Sequence, residues 1–284
     1  MSDVETPPNV CYRHPDRQSY VLCQRCGRTI CPQCQIPAAV GVHCPECVRE
    51  AHAETARRSG GARRPVARVL RGSFGRGQWP VVTLGIIAVC VVVWLLEILP
   101  GVGSYVQYYG VYYPPLTASE PWRMLTAVFL HSPSLALHLF LNMLSLWFLG
   151  PALESMLGRS RYLALFLIAG FGGSVAVLLL APDSAVYGAS GAIFGMMAAY
   201  FIIARRLGAG GTQILVVIGL NLAIGFMAGS VSWQAHVGGL ITGGAVALVL
   251  VTTRRRSQRA AQLLGLAGIV VVLVAITLVG VARL

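Results

Sequence analysis

The chain carries run after run of apolar, almost uncharged residues, of about the length that crosses a lipid bilayer. A spanning helix needs about 20 mostly apolar residues. Seven such runs lie at about Trp79–Leu99, Leu135–Leu157, Tyr162–Ala181, Ala189–Ala204, Ile214–Ala228, Ala235–Val251 and Leu263–Val281. Most are apolar all round, which excludes the one-faced helices of a soluble bundle. Charged residues make up 11% of the chain, against roughly 25% in soluble domains. The expectation is an all-α polytopic membrane protein. Its fourth to sixth spans are short and glycine-rich, which suits the interior of a helix bundle.

Arginine placement sets the orientation. All 22 basic residues are arginines, and 12 of them precede the first span. Arg159 and Arg161 follow the second span, Arg205 and Arg206 the fourth, and Arg254, Arg255, Arg256 and Arg259 the sixth. If the spans alternate, all of these fall on one side, and only Arg123 and Arg283 reach the other. The positive-inside rule then predicts a cytoplasmic N-terminus and an outer C-terminus in a bacterial plasma membrane. The formal net charge of +12 reads as a juxtamembrane signal that also meets anionic lipid, and no nucleic-acid partner is expected. The first 50 residues hold no apolar run, so no cleavable signal peptide is expected.

Ahead of the membrane body stand Cys11-x2-His14, Cys23-x2-Cys26, Cys31-x2-Cys34 and Cys44-x2-Cys47. Four ligand pairs make two tetrahedral sites, and thiolate with imidazole suits Zn²⁺. A cytoplasmic head keeps its thiols reduced, which argues against disulfides. Spacing alone allows neighbouring pairs to share a metal, and His43 or His52 to replace a terminal cysteine. The order of the pairs resembles the B-box zinc finger, in which alternate pairs share an ion. That resemblance implies one site from Cys11, His14, Cys31 and Cys34 and another from Cys23, Cys26, Cys44 and Cys47. So small a head, with few large apolar side chains, needs metal to fold. The two Zn²⁺ are therefore structural, and the head reads as a module for a protein partner or for regulation. From Ala53 to Gln78 the chain is rich in Arg, Gly and Ala without hydrophobic periodicity, as in a flexible linker. Cys90, inside the first span, reads as an ordinary buried residue.

Polar side chains at membrane depth are costly and need a reason. The second span opens with His138-x3-Asn142, one face of a helix. The fourth opens with Tyr187-Gly188-Ala189-Ser190-Gly191 and the sixth with Trp233-Gln234-Ala235-His236-x2-Gly239-x3-Gly243. All three starts lie at the same predicted depth, near the outer face. The small-x3-small faces Gly191-x3-Gly195 and Gly239-x3-Gly243 allow close helix approach, which would bring Ser190 to His236. A serine beside a histidine base is an activated nucleophile for acyl transfer. Ser190 sits at a helix N-terminus with free N–H groups, and Asn142 and His138 are further candidate donors for an oxyanion. No carboxylate neighbours His236 in sequence, so the site reads as a dyad. His131 receives no role, and Glu154 reads as a structural cap or a partner of Arg159 or Arg161.

These motifs, with Glu120-x-Trp122-Arg123 in the first outer loop, resemble the rhomboid family of intramembrane serine proteases over about Trp79 to Val251. The resemblance implies a six-helix core with Ser190 as nucleophile, His236 as general base, and an oxyanion hole from Asn142, His138 and the Ser190 amide. It requires no cofactor for catalysis. It implies substrates that are membrane-anchored proteins with helix-destabilising residues near the outer end of a span. Phe194 stands where some members carry a tyrosine; it can stack on His236 but cannot hydrogen-bond. Trp122 and Arg123 are expected to anchor the first loop in the outer interface. The resulting organisation is a zinc-binding head at 1–52, a linker at 53–78, the protease core at 79–253, and a basic segment with a seventh span at 254–284. The alternative is a catalytically silent relative that binds membrane clients for trafficking or quality control; intact Ser190 and His236 argue against it.

Overall fold

The computed structural model describes residues 9–38, 40–62, 79–208, 211–227 and 231–284. It divides into two compact units, Met1–Arg64 and Pro65–Leu284. In the first unit β1 (Val10–Cys11) pairs antiparallel with β2 (His14–Gln18), and β3 (Ile36–Pro37) with β4 (Val42–His43). The hairpins lead into α1 (Pro45–Ala62). The buried cluster of this unit consists of six cysteines and Ile30, a core far too small to hold by apolar burial alone. α1 runs through the start of the stretch read from sequence as a linker. Ala53, Glu54, Ala56 and Arg57 are strong helix formers, so helix persists there without an amphipathic pattern. The rest of that stretch, 63–78, lies outside the described residues.

The second unit is a helix bundle. Seven long helices occupy the seven apolar runs: α2 (Val81–Glu97), α5 (Ala136–Leu157), α6 (Arg159–Leu180), α7 (Ser190–Arg206), α8 (Thr212–Met227), α9 (Trp233–Thr252) and α10 (Arg259–Val281). By length and composition α5, α6, α9 and α10 can each cross a membrane, and α2 and α8 are shorter apolar helices. The chain is thus a multi-pass integral membrane protein. Between α2 and α5 the first loop is not irregular: it folds into α3 (Gly103–Gly110) and α4 (Arg123–Thr126), with short 3-10 turns at Pro114–Leu116 and Ala127–Phe129. Spans of apolar residues announce themselves by composition, whereas these short helices carry mixed polarity and need tertiary partners.

α6, α7 and α9 form the packed centre. Along the α7–α9 contact a Cβ on Gly239 would overlap the carbonyl oxygen of Gly191, and one on Gly243 would overlap the backbone of Gly195. The two small-residue faces therefore meet backbone to backbone, as their spacing predicts. In a medium as apolar as the side chains, such close packing is the main source of helix cohesion.

Charged groups inside the bundle are spent on backbone. Glu154 of α5 is buried and accepts hydrogen bonds from Val82 N (3.0 Å), Thr83 N (2.9 Å) and Thr83 Oγ1 (2.8 Å). It caps the free N–H groups of α2, and its negative charge suits that helix's positive end. The capping reading of Glu154 holds, but its partner is α2. Arg161 instead donates to Gln262 Oε1 of α10 at 2.8 Å, while Gln262 donates to Thr253 O and Oγ1, both at 3.0 Å. This ties the seventh span to the end of the sixth and the start of the third.

Two substitutions test these supports through unfolding of the detergent-solubilised protein. Glu154→Ala should lower stability by about 2 kcal/mol, because it leaves buried donors of α2 unpaired. Gly239→Val should be more severe and prevent native packing altogether, since the obstruction is backbone.

Candidate active site

The N-terminal ends of α5, α7 and α9 converge. Ser190 is the first residue of α7, and Gly188 before it has φ +122°, a conformation that favours glycine. The segment entering this turn is fastened to the first loop. Tyr112 and Val186 exchange backbone hydrogen bonds of 3.1 and 2.8 Å, and Gly188 N donates to Ala127 O at 2.8 Å. α9 begins at Ser232, whose hydroxyl accepts from Ala235 N at 3.3 Å, so the helix starts one turn before His236.

Across the glycine contact, Ser190 Oγ and His236 Nε2 lie 2.9 Å apart. His236 is buried, and Phe194 stacks on its ring with centroids 4.1 Å apart and an interplanar angle of 14°. Its Nδ1 has no hydrogen-bond partner among the described residues. α8 presents Gly225 there, with the position of a Cβ 3.5 Å from Nδ1. Among the described residues no carboxylate holds the histidine; an aromatic face and helix packing do. The pair has the geometry of a hydroxyl nucleophile with an imidazole base.

His138 and Asn142 border the same turn. A Cβ on Gly188 would lie 2.9 Å from both Cε1 and Nε2 of His138. Asn142 is buried and its Nδ2 donates to His138 O at 2.8 Å, which leaves one of its two N–H groups available. Ala189, the residue before α7, provides no side-chain cap, so the first N–H groups of that helix are uncommitted. All four residues singled out from sequence thus lie around one turn.

The structure corrects the reading of Arg123. Rather than meeting the membrane interface, it is 3% exposed, pairs with Glu120, and donates from Nη1 to Val111 O at 3.0 Å. Desolvation makes an unpaired guanidinium untenable there, so the charge is satisfied inside the loop that it braces. Trp122 is half exposed. Two residues near the site, His131 and Glu97, were given no role from sequence; the signal available was that each is an ionisable group at the edge of an apolar run.

In the first unit the ligand pairs interleave. Cys11, His14, Cys31 and Cys34 form one group and Cys23, Cys26, Cys44 and Cys47 the other, with ligand atoms within 4.8 Å of one another in each. This is the grouping that the B-box resemblance implies; neighbouring pairs in sequence fall in different groups. His14 Nδ1 is 3.4 Å from the sulfurs of Cys31 and Cys34 and 3.7 Å from that of Cys11, and Cys26 and Cys44 sulfurs are 3.7 Å apart. A tetrahedral Zn²⁺ with Zn–S of about 2.3 Å has S···S edges near ~3.8 Å, so the donor sets fit a metal. Burial opposes ionisation of Cys11, but backbone amides of Cys31 and Arg13 overcome it and bring the thiol down to about 6. Burial and the neighbouring Cys11 and Cys31 push Cys34 up to about 11. Crowded thiolates repel one another, and a divalent cation removes that repulsion.

Comparison with known proteins agrees with this architecture. The Rhomboid domain family model matches residues 118–253. Rhomboid protease GluP of Bacillus subtilis (strain 168) is 41% identical over 133 residues, which are 45% of this chain and 26% of GluP. RHOMBOID-like protein 2 of Arabidopsis thaliana is 37% identical over 139 residues, 46% of this chain and 43% of that protein. The chain therefore spans less than half the length of these two relatives. The putative rhomboid protease YdcA of Bacillus subtilis is 31% identical over 186 residues, 63% of this chain and 92% of YdcA. With nearly the whole of YdcA matched, and the Rhomboid domain laid over the helices that carry Ser190 and His236, the chain belongs to the rhomboid family.

Proposed function

We propose that this chain is an intramembrane serine endopeptidase that hydrolyses peptide bonds in or near the transmembrane segments of membrane-anchored proteins. The observation that carries the reading is the 2.9 Å approach of Ser190 Oγ to His236 Nε2 inside a bundle of apolar helices. Family membership supports it, since GluP is named a rhomboid protease and YdcA a putative one.

Each step follows from the geometry. His236 Nε2 takes the Ser190 proton as Oγ attacks the scissile carbonyl, and returns it to the leaving amine. Stacking on Phe194 holds the imidazole in the plane that faces Ser190. The developing oxyanion is met by the Ser190 N–H at the start of α7, the free N–H of Asn142 and the ring of His138. Water then attacks the acyl-enzyme with His236 again as base. A substrate carbonyl is exposed only where its helix unwinds, because helical amides are already hydrogen-bonded. Substrates with helix-destabilising residues near the outer end of a span are therefore selected.

Arginine distribution supports a cytoplasmic N-terminus and an outer C-terminus, so the site opens outward, and the Bacillus relatives fit a bacterial plasma membrane. The eight clustered ligands hold two Zn²⁺ as structural ions, and metal supplies the stability that seven buried core residues cannot. The head is a docking or regulatory module for a protein partner.

Incubation of the purified protein with a helix-unstable membrane substrate tests the enzyme reading. Wild type should release product, and Ser190→Ala and His236→Ala should release none above background. Asn142→Ala should retain residual cleavage, with a loss of roughly 2.7–4 kcal/mol in transition-state stabilisation. Equal product from wild type and Ser190→Ala would refute the assignment. Elemental analysis tests the head: two zinc ions per chain are expected, falling to one in Cys31→Ser, and chelation should make the head protease-sensitive.

A further inference from the structure

Glu97 and His131 are buried beside the site and have no part in the steps above. Glu97, the last residue of α2, accepts the backbone N–H of His131 at 3.0 Å and a hydrogen bond from Gln107 Nε2. Gln107 also reaches His131 O at 3.5 Å, and Trp94 Nε1 donates to Ser132 O at 3.0 Å. The end of α2 and Gln107 of α3 thus hold this loop at three backbone atoms, and the His131 imidazole projects from that base.

That imidazole is 0% exposed. Its Nδ1 lies 3.3 Å from Phe129 O, and a carbonyl oxygen only accepts, so Nδ1 carries the hydrogen. Nε2 of the neutral ring is then a bare acceptor, buried and without a hydrogen-bond partner among the described residues. Buried polar atoms left in this way are rare and call for an explanation. The neighbouring ring is His138, with centroids 5.2 Å apart and an interplanar angle of 50°. His138 turns Cε1 and Nε2 toward Gly188, which leaves Nδ1 as its second nitrogen.

We propose that His131 is a positioning residue for His138, acting through one bound water that donates a hydrogen to His131 Nε2 and the other to His138 Nδ1. This inference rests on the protease reading above. The partner of a histidine's second nitrogen decides which tautomer it adopts. With Nδ1 accepting, neutral His138 keeps its hydrogen on Nε2, the atom next to Gly188 and Ser190, where an oxyanion needs a donor. Both water hydrogens stay on their oxygen, so no proton is transferred. A water between two acceptors satisfies both and has the polar partners that a buried water requires.

A double-mutant cycle on the full-length protein in detergent separates this role from general stability. Cleavage of one membrane substrate is measured for wild type, His131→Phe, His131→Gln, His138→Ala and the His131→Phe/His138→Ala pair, with Ser190→Ala as blank. His131→Phe should lower kcat about tenfold, equivalent to ~1.4 kcal/mol, with KM unchanged. His131→Gln, which retains an acceptor, should recover most of that loss. Adding His131→Phe to His138→Ala should cost nothing more, because the effect passes through His138. If His131→Phe does not fold, His131→Leu takes its place in the cycle. Wild-type kcat in His131→Phe overturns the proposal, as does a second full tenfold loss in the His138→Ala background. A wild type no faster than Ser190→Ala is a separate result, which overturns the protease reading and this role with it.

Discussion

Everything at the candidate site depends on how closely α7 and α9 approach. Ser190 and His236 sit on different helices, and neither side chain is long. They meet at 2.9 Å because Gly191 faces Gly239 and Gly195 faces Gly243 with no Cβ between the backbones. Lipid offers no hydrophobic driving force between helices, so contact area gained by shape is what holds such a pair. The same contact therefore supplies both cohesion and the short Ser190–His236 distance.

Around that centre, ionisable side chains in the body are tied to backbone or to one another. Glu154 caps α2, Glu97 holds the loop of His131, and Arg123 braces the first loop against Glu120 and Val111. Each would be costly at low dielectric without such partners. Their placement gives the loops before α5 and α7 a rigidity that apolar packing alone would not, and those loops lead to His138, Asn142 and Ser190. The histidines differ: among the described residues His131 Nε2 and His236 Nδ1 have no partner, and His236 takes its orientation from Phe194 and the helix.

The two compact units are stabilised by different means. The body buries aliphatic and small residues along long helices, whereas the head buries cysteines. A head of that composition has too few apolar side chains to fold by burial alone, and its clustered cysteines and histidine are groups that could hold metal.

Much was legible in the sequence because the bilayer imposes simple rules. Span length follows from bilayer thickness, and the seven apolar runs coincide with seven helices. An apolar background exposes Ser190, His236, His138 and Asn142, and paired glycines mark where backbones approach. Cysteine spacing announced four ligand pairs, and the fold gathers them into two interleaved groups that could hold metal. Other features depended on partners distant in the chain. Arg123 reads as an interfacial arginine until the loop folds over it, and Glu154 finds donors 71 and 72 residues away. His131 is mute in sequence, since only tertiary packing buries its ring beside His138. Sequence by itself determined which segments form the long apolar helices and which residue types can react, because burial in lipid acts on each segment separately. Tertiary structure alone decided which polar atoms meet, because hydrogen bonds are directional and depend on how the helices and loops are placed.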